Sequence, residues 1–204
     1  MSAALPQALA EARETGELLE NLTFGRASAE ALDFSELSCR QISFRACRFT
    51  GCDFGKTAFY SCTFQDCQFA SCRFFAAYWQ DCQLTGCKGD GGDFRKGRFK
   101  ACAVNGGIFR YTNFANTVWD RCTLSDCNFT ESSLAESKLS KTDFRSVDFT
   151  GADFFRADLK GLDLTACTLD RITLSESCAE LKGAKIHASQ AAIVARILGI
   201  EVEL

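Results

Sequence analysis

The residues with the most chemistry to offer in this 204-residue chain are 13 cysteines and a single histidine. Thiolates can act as nucleophiles, bind metals or form disulfides, and spacing decides among these uses. Eleven of the cysteines (Cys47, Cys52, Cys62, Cys67, Cys72, Cys82, Cys87, Cys102, Cys122, Cys127 and Cys167) fall on one series with a step of five; only Cys39 and Cys178 lie off it. A step of five throughout is the mark of a structural slot, where cysteine serves as a small, soft apolar filler. His187 has no serine or cysteine nucleophile in an evident constellation around it, so it reads as a surface residue. The glycine-rich run Gly89-Asp90-Gly91-Gly92-Asp93 has no helix after it to complete a phosphate loop. No catalytic residue, metal site or cofactor site is expected, and the chain does not read as an enzyme.

The elements that would position these residues follow from the same step. Taking every fifth residue from Phe24 to Leu174 gives 31 positions, here named i, and 28 of them are large and apolar. The exceptions are Ala29, Cys39 and Gly89, and the register never slips. Seventeen of the 19 phenylalanines are at i; the other two are Phe75 and Phe155. Position i−2 holds Ala, Gly, Ser, Thr, Cys or Val except at Leu22, Leu32, Leu37, Ile42, Leu162 and Ile172. No charged residue occupies i or i−2, although 62 positions drawn from a chain with 24% charged residues would hold about 15. Residues two apart on an extended chain face the same side, so i−2 and i point inward. The polar residues at i+1 and i+2 break the alternation and turn the chain. Each pentad is a short strand plus a corner that cannot bury its own face and must stack on its neighbours, ~4.8 Å away.

The motif in Ala152-Asp153-Phe154-Phe155-Arg156 and Ala157-Asp158-Leu159-Lys160-Gly161 resembles the pentapeptide-repeat family. That resemblance implies an all-β fold, a right-handed quadrilateral parallel β-helix with four pentads, or 20 residues, per coil. Sorting the i−2 cysteines by a period of 20 supports four sides: five fall on one side, four on a second, two on a third and none on the fourth. On such a coil the close pairs Cys67/Cys72 and Cys82/Cys87 point from adjacent walls, unlike a zinc knuckle. Stacked thiols should stay free in a reducing compartment.

The ends differ from the repeat. Residues 1–16 form an N-terminal cap: Ser2 to Glu14 reads as a short helix, with Ser2 and Pro6 as start signals, Leu5, Leu9 and Ala12 on one face and Gly16 as the stop. Residues 17–188 form the β-helix. After Leu174 the register shifts by two, and Leu181 and Ile186 take the i positions. Residues 189–204 form a C-terminal helix and strand, with Ser189 as N-cap, Gly199 at C′ and an alternating Ile200-Glu201-Val202-Glu203-Leu204. The segment from Leu181 to Ile200 is similar to the C-terminus of the Qnr-type quinolone-resistance members of the family. That similarity implies capping of the rod, a homodimer through the C-terminus, and DNA mimicry toward a type II topoisomerase, gyrase or topoisomerase IV. The candidate dimer interface is Ile193, Val194, Ile197, Leu198, Ile200 and Val202. The unbroken register leaves no room for projecting loops, so the chain resembles the loop-free type.

Charge supports mimicry only in part. From Leu22 to Glu176 the charged residues cancel: three sides are mildly acidic and the side of Phe59, Trp79 and Phe99 carries +4. The whole chain carries −3, so direct nucleic-acid binding is not expected. Candidate partner contacts are Phe75 and Phe155, both at i+1 on one side, with Tyr60 and Tyr78 on the basic side. No apolar run approaches a membrane span, and Met1 to Ala10 lack a basic signal-peptide region, so a cytoplasmic protein is expected. The alternative function is a structural scaffold module without a topoisomerase partner.

Overall fold

Stacking is settled by backbone pairing. The computed structural model describes residues 5–16 and 18–203. Three-residue strands recur with parallel partners 20 residues away: Trp79 pairs with Phe59 and Phe99, and Leu84 with Phe64 and Val104. Face one holds seven strands, from Leu19–Glu20 to Lys138–Ser140, and face two holds seven, from Thr23–Gly25 to Asp143–Arg145. Face three begins with the strands Ser28–Glu30, Arg48–Thr50 and Gln68–Ala70 and continues as single bridges. Face four consists of single bridges, such as Asp53↔Arg73 and Arg73↔Asp93. The chain is therefore a parallel β-helix with four faces, a short N-terminal helix and a C-terminal helix.

The core is a set of aromatic columns. On face four Phe34, Phe54, Phe74 and Phe94 stack with centroid separations of 4.5, 4.6 and 4.4 Å. These spacings match the ~4.8 Å distance between paired strands, so ring stacking and backbone pairing satisfy one repeat. Neighbouring columns meet edge to face, as in Phe69 against Phe74 at 5.3 Å and 83°. Gly89, the gap in the column on face three, has a specific cause. A Cβ there would lie 2.9 Å from the Phe109 ring, and one at Gly107 would lie 2.6 Å from it. The two glycines make room for one leaning phenylalanine.

The corner residue at i+2 adopts a left-handed backbone in every pentad from Asn21 to Gly161, including side-chain-bearing residues such as Lys56 (φ 56°) and Ala46 (φ 51°). Single residues in that region are unfavourable. Here most are held by a ladder bond to the next coil, such as Ala46 N–H to Gln65 O and Lys56 N–H to Phe75 O, both 2.8 Å. Corners come in two kinds. After a strand the corner is open. At most others the N–H of i+3 closes on the carbonyl of i, as in Ala77 to Phe74 (3.0 Å) and Ala152 to Phe149 (2.9 Å). At closed corners a carboxylate or amide at i−1 often accepts the N–H of i+1, as Asp53 does from Gly55 (2.7 Å) and Asp153 from Phe155 (2.9 Å).

The six large residues at i−2 lie in the terminal coils, where they spread over the ends of the core. Leu22, Leu32 and Leu37 are half-buried against it. Helix α1, Leu5–Thr15, covers them with Leu5, Ala8, Leu9 and Ala12 buried, and Gly16 (φ 68°) ends it. The Arg13 guanidinium donates to the outward carbonyls of Asp33 (3.0 and 2.9 Å) and Ser35 (3.2 Å), closing the first edge. Ser2 and Leu204 lie outside the described residues. At the other end Lys185 pairs with Asp163, an offset of 22, so the two-residue shift is real. Leu181 lies in the 3-10 turn Ala179–Leu181, and both it and Ile186 pack half-buried against the core.

Two expectations about the tail need correction. The C-terminal helix α2 spans Ala188–Ile197, and its N-cap is His187, not Ser189: the imidazole accepts the Ser189 N–H, and the Gln190 side chain accepts the His187 N–H at 2.6 Å. Ser189 sits inside the first turn, where its hydroxyl meets the His187 ring at 2.8 Å. Residues 200–203 form no strand, because no edge of the same chain is paired with them.

Candidate binding surfaces and the C-terminal end

The thiols are fillers that also donate. Every cysteine except Cys178 is buried, and all 13 are free. Of the 11 at i−2, only Cys167 follows a closed corner. At open corners the carbonyl of i has no turn N–H, and the thiol of the next coil supplies a weak donor: Cys82 to Phe59 O (3.5 Å) and Cys87 to Phe64 O (3.3 Å). The side with no cysteine at i−2 is face one, which follows the closed corners of face four. Burial pushes the Cys167 thiol up to about 11 and the Cys39 thiol further still, away from the thiolate form that attacks or binds metal. Among the described residues no group of three or more His, Cys, Asp and Glu could hold a metal ion. His187 is engaged as a helix cap.

The exposed aromatics behave differently from one another. Phe75 is half-buried beneath cations: the guanidinium carbons of Arg73 and Arg95 lie 5.1 and 5.8 Å from its ring centroid, and the Lys96 ammonium 5.5 Å. Phe155, also on face four, is 38% exposed with Arg156 at 4.9 Å. Tyr60 and Tyr78 meet on face one with ring centroids 5.7 Å apart, Arg40 lies over Tyr60 at 6.0 Å, and the Tyr78 hydroxyl donates to Gln80 (2.7 Å). These two pairs do not converge on one site: one lies on face four and one on face one. The largest exposed aromatic, Tyr111 at 68%, was missed. Its signal was an aromatic at a corner position, i+2, next to the ion pair of Arg110 with Asp90 (2.6 Å).

Ion pairing separates the faces. On face four Lys56 pairs with Glu36 (2.7 Å), Arg73 with Asp53 (3.0 Å) and Arg95 with Asp93 (2.8 Å). The Arg95 guanidinium, with burial opposing it, holds the Asp93 carboxyl below its ordinary value. On face one Arg98, Lys100, Lys138 and Lys141 have no carboxylate partner among the described residues, so its excess positive charge faces solvent.

At the C-terminal end two buried polar side chains replace the missing next coil. The Gln190 amide donates to Cys167 O (2.6 Å) and Leu164 O (3.0 Å). Glu180 accepts from the N–H groups of Arg156 (2.8 Å) and Ser175 (3.1 Å) and from the Ser175 hydroxyl (2.9 Å). Of the candidate interface residues, Ile193 and Ile197 pack half-buried against the core, Val194 and Val202 are half-buried, and Leu198 (48%) and Ile200 (54%) are exposed.

The family model for the pentapeptide repeat region matches residues 22–92 and 93–174. The chain belongs to the pentapeptide-repeat family. Its repeats form the unbroken rod just described, and the caps lie outside the matched residues. Among solved structures, trypsin-treated QnrB1, a plasmid-mediated fluoroquinolone resistance protein, is 25% identical with a TM-score of 0.47 over 92% of this chain and 91% of that one. HetL, a pentapeptide-repeat protein of heterocyst differentiation from the cyanobacterium Nostoc, is 11% identical with a TM-score of 0.28, covering 86% and 92%. A pentapeptide-repeat protein of the Arabidopsis thaliana thylakoid lumen is 16% identical with a TM-score of 0.21, covering 73% and 85%. No curated protein matches the chain. No helix among the described residues is long and apolar enough to cross a membrane.

Proposed function

We propose that this pentapeptide-repeat protein is a binding rod that engages a type II topoisomerase, gyrase or topoisomerase IV, as a mimic of DNA and so alters quinolone sensitivity. The observation that carries the reading is the tail from Leu181 to Ile200 on an uninterrupted rod. It shifts the register by two, plugs the last coil with Gln190 and leaves Leu198 and Ile200 exposed, and this is the segment that resembles the Qnr-type proteins. A rod held by ladder bonds and aromatic columns is ordered before binding, so it avoids the ordering penalty of a flexible partner. In this reading the acidic sides turn toward the enzyme's basic DNA groove, Phe75, Phe155, Tyr60 and Tyr78 are contact candidates, and two copies join through their C-termini in the cytoplasm.

A supercoiling assay tests it. Added rod should inhibit gyrase supercoiling or topoisomerase IV relaxation at micromolar concentrations, and added DNA should compete with it. The absence of binding to either enzyme at low salt would sink the topoisomerase reading. One observation favours a second reading, a scaffold with another partner: faces three and four neutralise part of their own charge through ion pairs. A rod without topoisomerase affinity would leave that scaffold role.

A further inference from the structure

The rod has a consistent polarity. Through most of the rod the N–H groups of i and i+2 donate to the coil that follows, Ser71, Lys141, Phe144 and Ser146 excepted: on face three, Phe129 to Asp148 O (2.8 Å), Glu131 to Thr150 O (2.8 Å), Phe149 to Thr168 O (2.9 Å) and Gly151 to Asp170 O (2.8 Å). The next two donors in this series are Leu169 and Arg171, and neither N–H finds an acceptor in the chain. Leu169 is 2% exposed, so its donor is cut off from bulk water as well. Several other terminal groups are capped. Arg13 covers the first edge, Gln190 takes Cys167 O and Leu164 O, Gly161 N–H donates to Gly183 O and Leu164 N–H to Lys185 O. Leu174 and Glu176 repeat the open pattern on face four, but the groove described next lies along face three. Two donors two residues apart are the half-ladder that a further strand completes, and buried backbone donors are rarely left unpaired.

A groove of about 500 Å³ borders this edge, lined by Asp170, Arg171, Ile193, Arg196 and Ile197. Its floor is apolar and its rim carries two arginines. Arg196 has no carboxylate partner among the described residues, and Arg171 only a distant one, Glu131 at 3.7 Å. The segment that matches this chemistry is the chain's own end. Ile200-Glu201-Val202-Glu203 alternates apolar and acidic residues, which suits one face on Ile193 and Ile197 and the other on arginines. Residues 201–203 make no hydrogen bond within the chain, and Gly199 (φ 77°) turns the backbone away from α2.

We infer that the open face-three edge at Leu169–Arg171 accepts residues 200–203 of a second copy as an added strand, each copy giving its tail and receiving the other's. The inference rests on the homodimer reading and specifies its contact. The exchange is two-fold and self-complementary, so it closes at two copies and builds no filament. It also gives the tail the strand partner that its own chain does not supply.

The test uses light scattering and amide hydrogen exchange on the full chain, on a chain ending at Gly199, and on charge variants. The full chain should be dimeric, with slow exchange at Leu169 and Arg171. The shortened chain should become monomeric and exchange those two amides at least about tenfold faster, with its melting otherwise cooperative. Arg196→Glu should weaken the dimer, and adding Glu201→Arg should restore it, since only a cross-copy contact is repaired by the swap. A chain ending at Gly199 that stays dimeric overturns this pairing while leaving the homodimer reading intact. A monomeric full chain overturns both, whether those amides exchange fast or are protected by the chain's own tail.

Discussion

Phe64 and Phe75 show what a side chain contributes on each side of the wall. Phe64 is 1% exposed and stacks 4.9 Å from Phe44, with Phe59 and Phe69 against its edges. Truncation to alanine leaves a cavity between coils, and Phe64→Ala should destabilise by about 3–5 kcal/mol. Phe75→Ala removes a half-buried ring and its cation contacts and should cost about 1 kcal/mol or less. Denaturant midpoints compare the two directly, and equal midpoints would contradict the inward assignment. Two tryptophans give a second comparison. The Trp119 indole N–H donates to Thr117 Oγ1 at 2.9 Å, whereas the buried Trp79 N–H has no acceptor, because Ala77 stands where Thr117 stands two coils on. Ala77→Ser supplies that acceptor and should stabilise by roughly 1 kcal/mol; a thermal melt that falls would refute it. The thiols should report their burial: Ellman's reagent should label Cys178 on native protein and all 13 after denaturation. Fast labelling of several thiols in the native state would mean that the coils open.

The corners and caps are the units that hold at the scale of elements. An open corner commonly takes a thiol from the next coil, and a closed one relies on its own turn N–H, often with an Asp or Asn at i−1 and at three places with a hydroxyl from the next coil. The caps replace backbone with side chains, and one of them makes stability depend on pH. Burial works to raise the Glu180 carboxyl, but the N–H bonds from Glu180, Arg156 and Ser175 and the Ser175 hydroxyl outweigh it and hold the group below its ordinary 4.5. A carboxylate lowered on folding adds stability that is fully present above about 4.5 and is lost as pH falls through the folded value. Glu180→Gln should therefore lower the melting temperature at pH 7 and make much less difference at pH 3. A gap between the two proteins that is constant across that range would show that the carboxylate charge is not what closes the turn.

Charge distribution matters for the molecule as a whole. A strongly acidic mimic releases counterions as DNA does, and its affinity falls steeply with salt. This chain carries −3, with face-four and face-three ion pairs already made and unpaired cations on face one. Its affinity for a topoisomerase should fall only gradually with salt, because shape and aromatic contacts carry more of the binding. Binding titrations at two or three salt concentrations measure the slope. A DNA-like slope would keep the partner and show that a more acidic face than the sequence sums suggest makes the contact.

The sequence by itself determined the rod. A five-residue period with no charge at 62 inward positions requires pentads that stack to bury phenylalanine, and the sorting of cysteines agreed with the 20-residue coil that the family resemblance implied. It determined the α1 face of Leu5, Leu9 and Ala12, the stop at Gly16 and the two-residue shift before Lys185, because each depends on neighbours a few residues apart. The tertiary structure alone decided what depends on the adjacent coil. The donor that a corner carbonyl takes from the next coil lies 23 residues away, as Cys87 does for Phe64 O, and is visible only in the assembled rod. Whether Phe75 is free or covered is set by Arg73, Arg95 and Lys96, from its own coil and the next. The buried roles of Glu180 and Gln190 were not legible because a polar residue after the last repeat looks like surface until the open edge it closes is in place. The tail read as a strand because alternation reports only a capacity to pair; pairing also needs an edge, and an unpaired one, at Leu169 and Arg171, lies at the end of the finished rod.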